Sequence, residues 1–312
     1  MTDRAGLRKH FGEYLEKLGA KHKNLVVLDS DLSNGLNTLL FAKNHPERHF
    51  SVPEAERAML SMATGMTIRK KSPWVCARAG NLLGRALDIL RNGVVSPNLN
   101  LKIILSDVGL GNLEHGACRT STEDLAILRS LPNLKIFTPA DQHELRAMME
   151  FMTTDFGPTV MRIPAQCHED IFDGNYIFNP GTPVIVRRGE QICLFSHGNM
   201  LQQTLQAASE LMSKGLSAQV VNLPTPAPLD EEKLAEICTG FDLLLSVEDH
   251  SLQGGLGTIL AELLQKKSLP ARLVKLGLTA PVESGKYQEV LEKHGIGTKN
   301  IYETVREKWL QS

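Results

Sequence analysis

Two kinds of hydrophobic pattern alternate along this chain. Leu7, Phe11, Tyr14, Leu15 and Leu18 recur at helical spacing among polar residues, which predicts an amphipathic helix over residues 4–22. The run that follows, Leu25-Val26-Val27-Leu28, does not alternate and ends in Asp29-Ser30-Asp31-Leu32 before a turn-forming Ser33-Asn34-Gly35. It predicts a strand over residues 24–32, buried on both faces. Further short apolar runs at 74–77, 101–105, 134–137 and 159–163 are separated by helical patterns. This alternation predicts a parallel sheet with helices on both faces. From 164 to 189 the pattern dissolves into Pro164, Gly174, Pro180, Gly181 and Pro183, which reads as a linker. Predicted strands at 192–196, 218–223, 243–248 and 272–276, with helices near 200–214, 230–238 and 256–267, then form a second, smaller α/β unit.

The stretch His49-Phe50-Ser51-Val52-Pro53-Glu54-Ala55-Glu56-Arg57-Ala58-Met59 interrupts the first set. An extended run turns at Pro53 and enters an apolar helix, an entry that proline's fixed φ and missing N–H suit. Glu54 and Glu56 have two readings. Acidic residues in a first helical turn serve the helix dipole, whereas a carboxylate facing inward ahead of so apolar a helix becomes a proton-handling group. Ligands of parallel sheets sit beyond the carboxyl ends of the strands, where Asp31, Ser33, Asp107 and Arg162 fall.

Composition narrows the classes. The chain has 312 residues, enough for two domains, with 42% hydrophobic and 22% charged residues and a formal net charge of -1. Basic residues are dispersed, so no footprint for nucleic acid or a membrane surface is expected. The N-terminal residues lack the apolar core of a signal peptide, and no run reaches membrane-spanning length. Cys76, Cys118, Cys167, Cys193 and Cys238 are odd in number and widely spaced, as expected of reduced thiols in a cytoplasm rather than a zinc site.

Several segments in order resemble the C-terminal half of transketolase and its thiamin-diphosphate-dependent relatives, among them deoxyxylulose-phosphate synthase. These are Arg8-Lys9-His10-Phe11-Gly12-Glu13, Val27 to Ser33, Phe50 to Met59 and Ser96-Pro97-Asn98-Leu99-Asn100. Thr122-Glu123-Asp124-Leu125-Ala126 and, in the second unit, Val247-Glu248-Asp249-His250-Ser251-Leu252-Gln253-Gly254-Gly255-Leu256-Gly257 continue the likeness. The resemblance implies two doubly wound α/β domains. A thiamin-diphosphate pyrimidine-binding domain would span 1–163 and a transketolase C-terminal-like domain 190–312. The family's diphosphate and Mg2+ domain, with its Gly-Asp-Gly and later Asn, has no counterpart beyond Asp173-Gly174-Asn175. The resemblance therefore implies a split enzyme: an N-terminal transketolase-type subunit would carry the diphosphate and Mg2+ site. Self-association would run through the pyrimidine-binding domain, in a dimer or a heterotetramer.

Residue by residue, the resemblance places Glu56 where the family's carboxylic acid meets the aminopyrimidine, with Asp31, Cys76 and Ala79 beside the cofactor. Cys76 and Ala79 stand where the family has aromatic rings, a loss of about 0.5–1.5 kcal/mol beyond area burial; Trp74 belongs by strand alternation to the core. Glu56-Arg57-Ala58 departs from the family's Glu-Gln-Asn or Glu-His-Ala. Arg8, Ser33 and Arg162 match positions that grip a sugar phosphate, a task suited to the guanidinium fork; for each, an ordinary surface, turn or ion-pair role stays open. Leu113-Glu114-His115-Gly116-Ala117-Cys118-Arg119 replaces the family's Gly-Glu-Asp-Gly-Pro-Thr-His, and Asp107 replaces a substrate histidine. Arg119 holds its proton at neutral pH and suits an anion, not a proton shuttle; His115 titrates in a useful range. The implied substrate is a small anionic sugar. Three functions stay open: a two-carbon ketol transferase, a catalytically degenerate scaffold or metabolite binder, and a 2-oxo-acid dehydrogenase β-type subunit.

Overall fold

The computed structural model describes residues 6–30, 35–111, 113, 116, 120–166 and 169–311. The first sheet contains β1 (Leu25–Asp29), β2 (His49–Ser51), β3 (Ser72–Arg78), β4 (Lys102–Ser106), β5 (Lys135–Phe137) and β6 (Thr159–Ile163). Their order is β2-β1-β3-β4-β6-β5, and every pairing is parallel. Successive strand residues point to opposite faces, so each continuous apolar run feeds two layers. Val26, Leu28, Val75, Ile103 and Leu105 pack with Met59, Leu60 and Ala63 of α3 (Glu56–Ile68) and Leu82, Leu83 and Ala86 of α4 (Ala79–Ile89). Val27, Trp74, Cys76, Ile104 and Met161 pack with α1 (Leu7–Lys21) and α6 (Gln142–Thr154) on the other side. Helices α2 (Leu39–Asn44) and α5 (Asp124–Arg129) are short. The chain leaves β1 for β2 on one flank and returns to β3 on the other. The switch point therefore lies at the carboxyl ends of β1 and β3, the place where open parallel sheets bind their ligands.

The second sheet orders β7 (Val184–Arg187), β8 (Ile192–Ser196), β9 (Ala218–Asn222), β10 (Leu243–Ser251) and β11 (Arg272–Leu278) as β11-β10-β8-β9-β7. Helices α7 (Met200–Ser213), α8 (Glu231–Thr239), α9 (Leu256–Lys266), α10 (Tyr287–Lys293) and α11 (Thr298–Leu310) complete it. β7 lies in the stretch expected to be linker; it joins the sheet edge antiparallel to β9. Among the described residues no helix is long and apolar enough to cross a membrane. Cys76, Cys193 and Cys238 are buried free thiols; Cys118 and Cys167 lie outside the described residues.

The start of α6 fastens the connecting segment. Asp141 caps the helix by accepting from the His143 and Glu144 amides, and its second oxygen accepts from Ile171 and Phe172. The buried Glu144 accepts from the Ala140 amide, the Tyr176 hydroxyl at 2.7 Å and Asn222 Nδ2 at 3.0 Å. Burial pushes its carboxyl from 4.5 up to about 8, against the pull of those donors. A folded pKa raised above the unfolded one contributes stability that is complete below the unfolded value and is lost as pH rises through the folded value. Relative to Glu144→Gln, the wild type should therefore lose on the order of 3 kcal/mol between about pH 5 and 8. Urea unfolding of both proteins across that window checks it; parallel stability curves would contradict the assignment.

Candidate active site

Glu56 opens α3 at the carboxyl edge of the first sheet and is 1% exposed. Its neighbours form a chain of alternating charge across the ends of β2, β3 and β4. Arg85 Nη1 lies 3.1 Å from Glu56 Oε2 and 2.9 Å from Glu54 Oε2. Arg78 Nη1 is 3.7 Å from Glu54 Oε1, and Arg78 Nε is 3.4 Å from Asp107 Oδ2. Arg8 Nη2 closes the row at 2.6 Å from Asp107 Oδ1. Glu54 and Asp107 both adopt positive φ, 53° and 57°, a strained setting for residues with a Cβ and one that gathers at functional sites. Among the described residues, Glu56 Oε1 is buried without a hydrogen-bond partner. A bare buried carboxylate oxygen is costly unless something donates to it.

The structure brings together three of the residues expected from sequence: Arg8 and Asp107 form an ion pair, and Glu56 lies along the same row. Beside Arg8 a cavity of about 390 Å³ is lined by Gly6, Arg8, Lys9, Gly35 and Asn37. Asp31, Ser33, His115 and Arg119 lie outside the described residues. Three further residues expected from sequence are buried. Cys76 lies on the α1/α6 side of the sheet, where burial pushes its thiol well above the usual range. Ala79 is fully buried against the α3/α4 layer. Arg162 grips Asp124 through two bonds of 2.6 and 3.0 Å and is 4% exposed, the ion-pair role left open from sequence. Trp74 lies in the core as expected.

Arg78 and Arg85 were not anticipated. Arg78 ends a strand, the rule that singled out Asp107, and so carried a legible signal. Arg85 lies two turns into α4 and nothing local in the sequence marked it.

A second charged cluster lies between the two sheets. Arg162 and Asp124 meet His250, whose Nε2 is 4.0 Å from Asp124 Oδ1 and whose Nδ1 is 3.7 Å from Glu248 Oε2. Glu248 accepts from the Leu256 and Gly257 amides at 2.7 and 2.8 Å, so the anion seated on the glycine-rich turn is the chain's own carboxylate. A Cβ at Gly255 would collide with that carboxylate. His197 is buried with both ring nitrogens unpartnered among the described residues, and desolvation, reinforced by Arg162 and His250, holds its pKa well below normal.

Comparison with known proteins matches residues 4–168 to the pyrimidine-binding domain of transketolase and 181–301 to the transketolase C-terminal domain. A Methanocaldococcus jannaschii protein, provisionally named a transketolase C-terminal section, is 34% identical over 97% of this chain and 96% of its own length. The 1-deoxy-D-xylulose-5-phosphate synthase of Desulfotalea psychrophila is 31% identical over 93% of this chain, which spans only 46% of that enzyme. A solved structure described as a split-gene transketolase, an inactive β4 tetramer, superimposes with a TM-score of 0.89 at 32% identity, covering 96% of this chain and 97% of that one.

Proposed function

Because this chain belongs to the transketolase family, as its pyrimidine-binding and C-terminal domains, we propose that it is the C-terminal subunit of a split transketolase. With a separate N-terminal-type subunit it transfers a two-carbon ketol unit between small anionic sugars. The described relative as a β4 tetramer is inactive, which supports the need for a second kind of chain. That chain holds the diphosphate and Mg2+; this one holds the pyrimidine of thiamin diphosphate and associates with itself through its first domain.

The observation carrying the reading is the bare Oε1 of Glu56, a buried acceptor beside the switch point. It fits an aminopyrimidine, whose ring nitrogen would meet that oxygen and remove the cost of leaving it unpaired. Thiamin diphosphate, when bound, supplies a nucleophilic carbon that adds to the carbonyl of the donor sugar. Glu56 shares a proton with the pyrimidine edge, a position-specific acid–base contribution on the order of 10²–10⁴-fold. Arg85 fixes the carboxylate through Oε2 and leaves Oε1 turned to the ring. Arg8, aimed by Asp107, presents its remaining donors to the substrate anion, with Ser33 and Arg119 as further sequence-derived candidates and His115 as the proton-handling one.

A second reading, a degenerate subunit serving as scaffold, is favoured by the Arg85–Glu56 pair and by the lack of an aromatic ring at Cys76 and Ala79. Calorimetric titration with thiamin diphosphate and Mg2+ separates them. Saturable binding is expected when both chains are present and weak or no binding to this chain alone; an assembled complex that takes up no cofactor would leave only the scaffold.

A further inference from the structure

The charged row is built from first-domain residues, and the second domain reaches its base. Residues 107–111 leave β4 and residues 120–124 lead into α5, and these two stems are joined. Gly109 N donates to Ser121 O at 2.7 Å, and Ser121 N donates to Asp107 O at 3.1 Å. The stems flank the stretch of sequence that holds His115 and Arg119, and Asp107 belongs to the first stem.

The end of β10 grips both stems. Asp249, 3% exposed, packs its carboxylate against Gly109. Gly109 has φ +55°, and a Cβ there would collide with the Asp249 carboxylate. Glycine is thus required twice, by backbone conformation and by space. Two residues on, Ser251 N donates to Thr122 O at 2.7 Å on the other stem. Between them His250 places Nε2 3.4 Å from the Ala126 amide at the start of α5. Consecutive residues of a nine-residue strand hold the exit from β4 and the approach to α5 at fixed separation.

This arrangement bears on Asp107, whose φ of +57° survives only where the surroundings over-determine it. Its Ser121 bond fixes one side, and Gly109, seated against Asp249, fixes the other. We propose that Asp249 is a positioning residue: acting through Gly109, it sets the backbone of Asp107 and thereby aims Arg8 at the substrate anion. The inference rests on the transketolase reading for its kinetic consequence and on geometry alone for its structural one.

The test uses the full chain assembled with its complementary subunit, with Asp249→Ala and Gly109→Ala made separately and together. In Asp249→Ala, amide exchange at Gly109, Leu110 and Ser121 should quicken tenfold or more, while β3 and β8 keep wild-type protection. KM for a phosphorylated sugar should rise about tenfold with kcat within threefold, and thiamin diphosphate affinity should not change, because Glu56 lies at the far end of the row. Gly109→Ala attacks the same contact from the other side with the second domain intact, so it decides the matter should Asp249→Ala fail to fold. The double variant should be no worse than Gly109→Ala alone, since the collision is gone. Unchanged exchange at the stems in a folded variant would overturn the proposal. So would acceleration spread evenly over the second domain, or a fall in kcat and cofactor affinity together. If the wild-type assembly transfers no ketol unit, the functional reading fails, and the exchange pattern still decides whether Asp249 holds the stems.

Discussion

Glu56→Gln, in the chain assembled with its complementary subunit, is expected to lower turnover by on the order of 10²–10⁴-fold. The amide keeps the shape of the side chain and still offers an oxygen to Arg85, but it cannot exchange a proton with the pyrimidine edge. The stability change should stay within about 1 kcal/mol, since one charge-assisted bond becomes a neutral one and no cavity forms. Assembly should also survive. Steady-state turnover, thermal unfolding and sedimentation of the same preparations separate these effects. Turnover within tenfold of wild type would remove Glu56 from the chemistry, and a collapse of assembly would make its role structural. Arg85→Met is the companion variant: it leaves a buried carboxylate without its guanidinium, so Glu56 should lose its fixed orientation and cofactor affinity should fall.

The largest stability effect is expected at Arg162 and Asp124. Both are buried, at 4% and 0% exposure, and bound through two short bonds. Asp124→Ala leaves a guanidinium in the interior with only Glu248 and Asp249 to offset it. Breaking one side of such a pair costs about 3–5 kcal/mol. Replacing both partners, as in Asp124→Leu with Arg162→Met, should cost markedly less, because no uncompensated charge is left behind. Urea unfolding of the two single variants and the double variant tests this. Equal, additive losses would mean that each residue acts through separate contacts. Asp124 opens α5 in the first domain and the surrounding His250, Glu248 and Asp249 come from β10 in the second. Loosening should therefore appear first as exchange at the junction between the sheets.

The placement of Arg162 shows how far residue type can mislead. At a strand's carboxyl end, an arginine suits a phosphate and a carboxylate equally well, and its position in the sequence gives the same signal for both. Asp124 lies 38 residues earlier, and only the tertiary fold brings the two together. Cys76 is a related case. The strand register puts Trp74 and Cys76 on one face, and the sequence contained that alternation. What it lacked was which face the α1/α6 layer would cover. Arg85 is the opposite case, a residue on an exposed helix face that matters only because α4 runs beside the start of α3.

The sequence by itself determined the architecture: continuous apolar runs cut by helical periods can bury their backbone only as parallel strands between helix layers. For the acid at 56 the local pattern left two readings, helix-start chemistry and a proton-handling group, and only the resemblance to the transketolase family chose between them. Tertiary structure alone decided the charge partners, since ion pairs join residues whose separation along the chain says nothing about their separation in space. It also decided that the second domain's Asp249 sits against Gly109. That contact depends on how two independently wound sheets dock, and local pattern does not encode docking.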